Sequence, residues 1–122
     1  MRFALVFAGI SGLIGVALGA GAAHALKRML DERALALVET AVRYQLIHAA
    51  ALVGLAALIV RPWPALQWVA WAWALGTVLF CGSLYLLAFT GLRGFAHVAP
   101  LGGLAFIVGW GLLAFYALRL GG

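Results

Sequence analysis

The sequence predicts an all-α protein, an integral membrane four-helix bundle with a short interfacial helix between spans one and two. Three observations predict it. Hydrophobic residues make up 67% of the chain and the mean hydropathy is +1.15. A water-soluble globule needs more polar surface than that. Charged residues bracket long neutral runs: 24 residues between Arg2 and Lys27, 17 between Arg43 and Arg61, 31 between Arg61 and Arg93, and 25 between Arg93 and Arg119. A helix needs about 20 apolar residues to cross the hydrocarbon core, with about 17 the lower end of the range. At 122 residues, four such spans make a single membrane domain and leave no room for a soluble one.

Span one is expected at 3–25, "FALVFAGISGLIGVALGAGAAHA". Its apolar run is longer than the roughly 7–15 residues of a signal-peptide core, so it reads as a span. Glycines would weaken such a helix in water; in lipid they let two backbones approach closely. Ala8/Gly12 and Ser11/Gly15/Gly19 have the required four-residue spacing, which marks Gly12, Gly15 and Gly19 as packing positions. Residues 27–43 hold seven of the eleven charged residues, interleaved with Met29, Leu30, Leu37 and Val38. That mixture suits a short helix in the interface plane, at 27–39, leading into span two at 40–60. "RPWPA" at 61–65 turns the chain, because two prolines stop a helix. Span three follows at 66–90, with Trp63, Trp68 and Trp71 at its entry as an aromatic belt. "GLRGFAH" connects it to span four at 97–119, where Pro100 falls in the tolerant first turn. Gly102, Gly103 and Gly109 are its packing glycines. Trp110 lies near its middle and is expected to pack against a neighbour.

Depth follows from counting crossings. One membrane face, A, receives the N-terminus, the 61–65 turn and the C-terminus; the other, B, receives the 26–43 segment and the 91–97 turn. The polar side chains fall mostly on the B side: His24, Glu39, Arg43, Tyr44, Gln45, His48, Ser83, Tyr85, Arg93 and His97. Polar groups at membrane depth are costly without partners and usually face the bundle interior. Glu39 precedes Arg43 by four residues, the favourable order for a helical ion pair. Tyr44, Gln45 and His48 are expected to point inward, toward His24 and Tyr85 on spans one and three. Together these ten residues form the candidate ligand-binding cluster.

Four stretches in order, "GAAHALK", "TAVRYQLIHA", "LFCGSLYLLAFTG" and "PLGGLAFIVGW", give the chain a family likeness. It resembles the bacterial membrane family known as domain of unknown function 423, related to the eukaryotic transmembrane protein 256-like proteins. The resemblance spans roughly Phe3 to Leu118. It implies four membrane helices and an inner-membrane location, and it carries no catalytic mechanism. The family pattern often has serine where this chain has Cys81, so no chemistry is placed on that thiol.

The remaining classes can be weighed on the same residues. A net charge of +5 and pI near 10.4 suggest nucleic acid, but the basic residues are scattered among span ends as helix anchors, and none is expected to bind it. No nucleophile has a base at a readable spacing, so the chain is expected not to be an enzyme and to carry no cofactor. Metal binding by His24, His48 and His97 is the minor alternative, lacking a close ligand pair. A small transporter or channel subunit, acting as an oligomer, is the other; no internal repeat supports it. The leading expectation is a non-enzymatic membrane protein that binds a partner protein, a lipid headgroup or a small amphipathic ligand at face B. Its partners are then the bilayer and a second copy or another membrane protein. Counting Lys and Arg leans slightly to B inside, whereas the basic C-terminal tail common in the resembling family favours A; this chain reads "RLGG" there. Both termini are expected in the cytoplasm.

Overall fold

A computed structural model describes residues 2–58 and 64–120. Among the described residues four stretches are long and apolar enough to cross a membrane: Arg2–Ala23, Glu32–Leu58, Ala65–Thr90 and Arg93–Arg119. The first is α1 (Arg2–Ala23). A short helix, α2 (Ala25–Met29), leads to α3 (Glu32–Leu58), the second span. Span three comprises α4 (Ala65–Gly76), a π-helical turn (Thr77–Cys81) and α5 (Gly82–Thr90). A 3-10 turn (Arg93–His97) precedes α6 (Ala99–Leu120), with Pro100 in its first turn. Most of the expected 61–65 turn, including Arg61 and Trp63, lies outside the described residues.

The interfacial segment differs from the expectation at 27–39. Only Ala25–Met29 forms a separate helix, with Lys27, Arg28 and Met29 exposed. Asp31 then caps a new helix, accepting a hydrogen bond from the Ala34 amide at 2.8 Å. A carboxylate there both satisfies an orphan N–H and meets the positive end of the helix dipole. Residues 32–39 are therefore the first turns of the span-two helix, which reaches well beyond the hydrocarbon core.

Spans two and three form the centre. Helix α1 packs along α3, α6 packs along α4 and the π turn, and α5 packs on α3. Leu52, Leu55, Leu66, Val69, Trp73 and Phe106 dominate the core, with a smaller cluster of Ala22, Val38, Val42 and Ala88 toward face B. Outward side chains are apolar as well: Leu13 is 73% exposed and Ile107 66%. In water that would be a liability, but here it is the lipid-facing coat. Trp68 and Trp71 are exposed at the entry of span three, the latter stacked on Phe3 at 4.2 Å.

Close helix approach is built on particular glycines. A Cβ at Gly15 would meet Leu46 at 2.8 Å, and one at Gly19 would meet Val42 at 3.2 Å. At Gly109 it would strike the Trp73 ring at 2.5 Å. Gly102 is the most constrained, since a Cβ would lie 2.7 Å from both Cα and Cβ of Phe80. Gly103 has only Phe80 Cδ1, at 3.9 Å, and Gly12 has nothing within 4 Å. Gly12 thus does not make the packing contact that its spacing suggested; helical phase turns it away from α3, which Ser11 and Gly15 face instead.

The π turn lies against Gly102. Its signature is the Gly82 amide reaching back five residues to the Thr77 carbonyl. Two hydroxyls tie down carbonyls around it: Thr77 Oγ1 donates to the Trp73 carbonyl and Ser83 Oγ to the Phe80 carbonyl, both at 2.9 Å. Such local partners let irregular backbone persist where water is scarce.

Candidate functional site

The inward face of α3 carries two buried polar side chains, Gln45 and His48, each tied to a different pair of elements. Gln45 Nε2 donates to the Ser11 carbonyl on α1 at 2.8 Å. A backbone carbonyl only accepts, so this bond fixes which end of the amide is nitrogen. The other end, Oε1, then accepts from the Tyr85 hydroxyl on α5 at 2.6 Å. One side chain thus joins spans one, two and three. Beside it, Cys81 Sγ donates to the Ala41 carbonyl at 3.3 Å, a buried thiol in a structural bond.

His48 turns the other way, toward span four. Its Nδ1 lies 2.7 Å from the Tyr44 carbonyl and its Nε2 lies 3.0 Å from Trp110 Nε1. The carbonyl can only accept and the indole N–H can only donate. This pattern belongs to a neutral imidazole with its proton on Nδ1. The ring stacks on Phe106 at 3.7 Å and meets Trp73 edge-on at 6.0 Å. Tyr44 is 40% exposed, its ring against Phe80 and Phe106. It fills the rim of this aromatic cluster rather than pointing fully inward.

The structure therefore divides the expected cluster. Gln45 and Tyr85 meet directly, as their depths suggested, and Tyr44 and His48 share a stack. His24 and His97 are exposed at the face-B ends of α1 and the 3-10 turn, away from His48. Glu39 and Arg43 are both exposed on α3, and no ion pair joins them. Ser83 spends its proton on its own helix. Among the described residues no group of His, Cys, Asp and Glu is arranged to hold a metal ion, and both ring nitrogens of His48 are already engaged. The partner that residue counting missed is Trp110. Starting span two at residue 40 put His48 near face B, whereas Trp110 lies about 16 Å along α6 from Ala99 at ~1.5 Å per residue. Because α3 begins at Glu32, the two residues meet at the same depth.

A second site lies at face B itself. A groove of about 290 Å³ opens between the start of α3 and the end of α5, lined by Asp31, Arg33, Leu37, Leu87, Ala88 and Arg93, among others. Two local devices shape it. The Asp31 cap sets the direction of α3 on one side. On the other, Gly91 adopts φ 71°, its amide bonded to the Leu87 carbonyl at 2.9 Å. This left-handed C-cap, which glycine adopts without strain, ends α5 and turns the chain toward Arg93. Arg33 and Arg93 are exposed, and neither side chain makes a hydrogen bond among the described residues. Asp31 and Arg33 fall in the 27–39 segment expected as an interfacial helix, outside the expected cluster, so the sequence does not single them out for a site.

Residues 18–103 match the family described as a protein of unknown function, DUF423. The chain is 45% identical over 122 residues to the UPF0382 inner membrane protein YgdD of Escherichia coli strain K12, covering 98% of this chain and 92% of that one. It is 37% identical over 115 residues to a UPF0382 membrane protein of Haemophilus influenzae, covering 94% and 93%. With the UPF0382 membrane protein SSP2132 of Staphylococcus saprophyticus the identity is 32% over 120 residues, covering 98% and 100%. No solved structure matches the chain.

Proposed function

The chain belongs to the DUF423 family of membrane proteins, and from that premise we propose that it is a non-enzymatic binding protein whose face-B groove holds an anionic phospholipid. One observation carries the reading. Arg33, in the first turn of α3, and Arg93, at the start of the 3-10 turn, line the groove as exposed cations, and Leu37, Leu87 and Ala88 line it with them. That is the layout of an amphiphile. A phosphodiester would take charge-assisted hydrogen bonds from the two guanidinium groups. Its acyl chain would follow the apolar side chains toward the bilayer core. Asp31 lines the groove as well, with one carboxylate oxygen capping α3, but two guanidinium groups against one carboxylate leave the groove net positive. With the protein in an inner membrane and both termini cytoplasmic, the groove would face the outer leaflet.

The test is lipid retention. Purified protein is exchanged into nanodiscs containing equal phosphatidylglycerol and phosphatidylcholine, then extracted in mild detergent and weighed by native mass spectrometry. Wild-type protein should keep phosphatidylglycerol in preference. The double variant Arg33→Gln/Arg93→Gln should lose that preference, while Arg119→Gln, at the opposite end of the bundle, should keep it. Equal retention of both lipids by wild type, or an unchanged preference in the double variant, refutes the reading.

A further inference from the structure

A cleft of about 310 Å³ lies between spans one and three, walled by Phe7, Ile10, Ile14 and Val78 and backed by Ser11, Gln45 and Tyr85. It is separate from the groove at Arg33 and Arg93. Its walls are apolar, but its back contains hydrogen-bond donors without acceptors. Ser11 is 6% exposed and its hydroxyl oxygen has no partner among the described residues. Gln45 Nε2 has two N–H donors and uses one of them, on the Ser11 carbonyl. Tyr85 has given its only proton to Gln45. The back of the cleft is thus richest in unspent protons.

Depth sharpens the argument. Ser11 lies about 13 Å along α1 from Arg2 at ~1.5 Å per residue, close to the middle of a core about 30 Å thick. An unmatched donor there costs free energy, since no bulk water reaches it. The ester carbonyls of phospholipids sit near the headgroups, too shallow to supply the acceptor. A membrane-soluble molecule carrying its own carbonyl could. The volume is at the lower end of small-molecule sites, about 300 Å³ upward. Phe7 and Tyr85 provide aromatic walls for a flat ring.

We propose that this cleft binds a planar lipophilic carbonyl compound of the quinone class, its carbonyl oxygen accepting from the free Gln45 N–H or from Ser11 Oγ–H, which is enclosed in this structure and rotates toward the cleft to meet it. The ring lies between the aromatic walls and the alkyl tail leaves laterally into the bilayer. This inference is independent of the face-B groove, and its test does not touch Arg33 or Arg93.

The probes are a decyl-chain benzoquinone and, as control, decylbenzene, which has the ring and tail without carbonyls. Each is supplied to the full-length protein in nanodiscs, and the bound amount is measured after gel filtration. Wild-type protein should retain the benzoquinone and far less decylbenzene. Ser11→Ala should weaken benzoquinone binding by several-fold without changing decylbenzene retention. Gly82→Leu should abolish binding: Gly82 lines the cleft, and a Cβ there meets nothing within 4 Å. Val78→Trp, at a cleft residue 59% exposed, is a second obstruction should the leucine variant fail to fold. Equal retention of both probes, retention of neither, or full benzoquinone binding in a folded obstructed variant overturns the proposal.

Discussion

Replacing Gly102 by alanine adds one methyl group at the closest approach that any of the described glycines makes. That methyl would lie 2.7 Å from both Cα and Cβ of Phe80 and closer still to its amide nitrogen. These are main-chain atoms and their direct attachment, so no side chain can swing aside. To restore ordinary contact, α6 must retreat by at least about 0.7 Å, and a gap of 0.5–1 Å forfeits roughly a quarter to a half of each dispersion contact. Phe106 against Gly76 and Trp73 against Gly109 would loosen with it. The 3.0 Å bond from Trp110 to His48 would stretch too. Overpacking of this kind costs about 1–3 kcal/mol, and alanine's better helix propensity returns at most ~1 kcal/mol. We expect a net loss of about 1–2 kcal/mol. Gly12→Ala, where the methyl meets nothing within 4 Å, should be neutral or slightly stabilising. The assay is reversible unfolding in mixed micelles, followed by circular dichroism. If Gly102→Ala and Gly12→Ala unfold at the same denaturant mole fraction, the close approach at Phe80 is not real and the reasoning fails.

Three further outcomes are expected. Nitrogen-15 NMR of labelled protein should show His48 neutral with its proton on Nδ1; a proton on Nε2 would contradict the Trp110 bond. A double-mutant cycle of His48→Phe and Trp110→Phe should give a coupling of about 0.6 kcal/mol, the average for hydrogen bonds between membrane helices, and at most ~1.7 kcal/mol; strict additivity would contradict it. Tyr85→Phe should cost about 1 kcal/mol, because Gln45 Oε1 loses its donor, and an unchanged unfolding midpoint would count against the three-span junction.

Fold class was legible in the sequence because the bilayer imposes a length, and the spacing of arginines reported that length directly. The join between Gln45 and Tyr85 was also within reach, since counting crossings assigns both to the face-B halves of their spans, where few other polar side chains compete. His48 was misplaced for an identifiable reason. A charge-rich helix that overshoots the hydrocarbon core looks like an interfacial segment when only hydropathy is counted. The Asp31 cap was the available signal, an acidic residue three positions before Ala34 at the head of a long helix. The turn of Gly12 away from α3 was not legible at all. Four-residue spacing marks two stripes on span one, and nothing in the chain says which stripe faces span two.

The π turn in span three has a consequence for how this protein tolerates change. Before it, Trp73 and Gly76 are in phase with α6; after it, Tyr85 and Ala88 are in phase with α3. A single continuous α-helix has one phase, and a residue removed from it rotates everything downstream by ~100°. The extra residue held in Thr77–Cys81 is what lets one helix keep two phases at once. Span three is therefore two recognition faces on one axis, joined by a fixed angular offset. Substitutions on either face can be absorbed by the neighbour that reads it. A one-residue deletion within the turn cannot, because it would rotate the face carrying Tyr85 and Ala88 by ~100° relative to Trp73 and Gly76 and turn it away from α3.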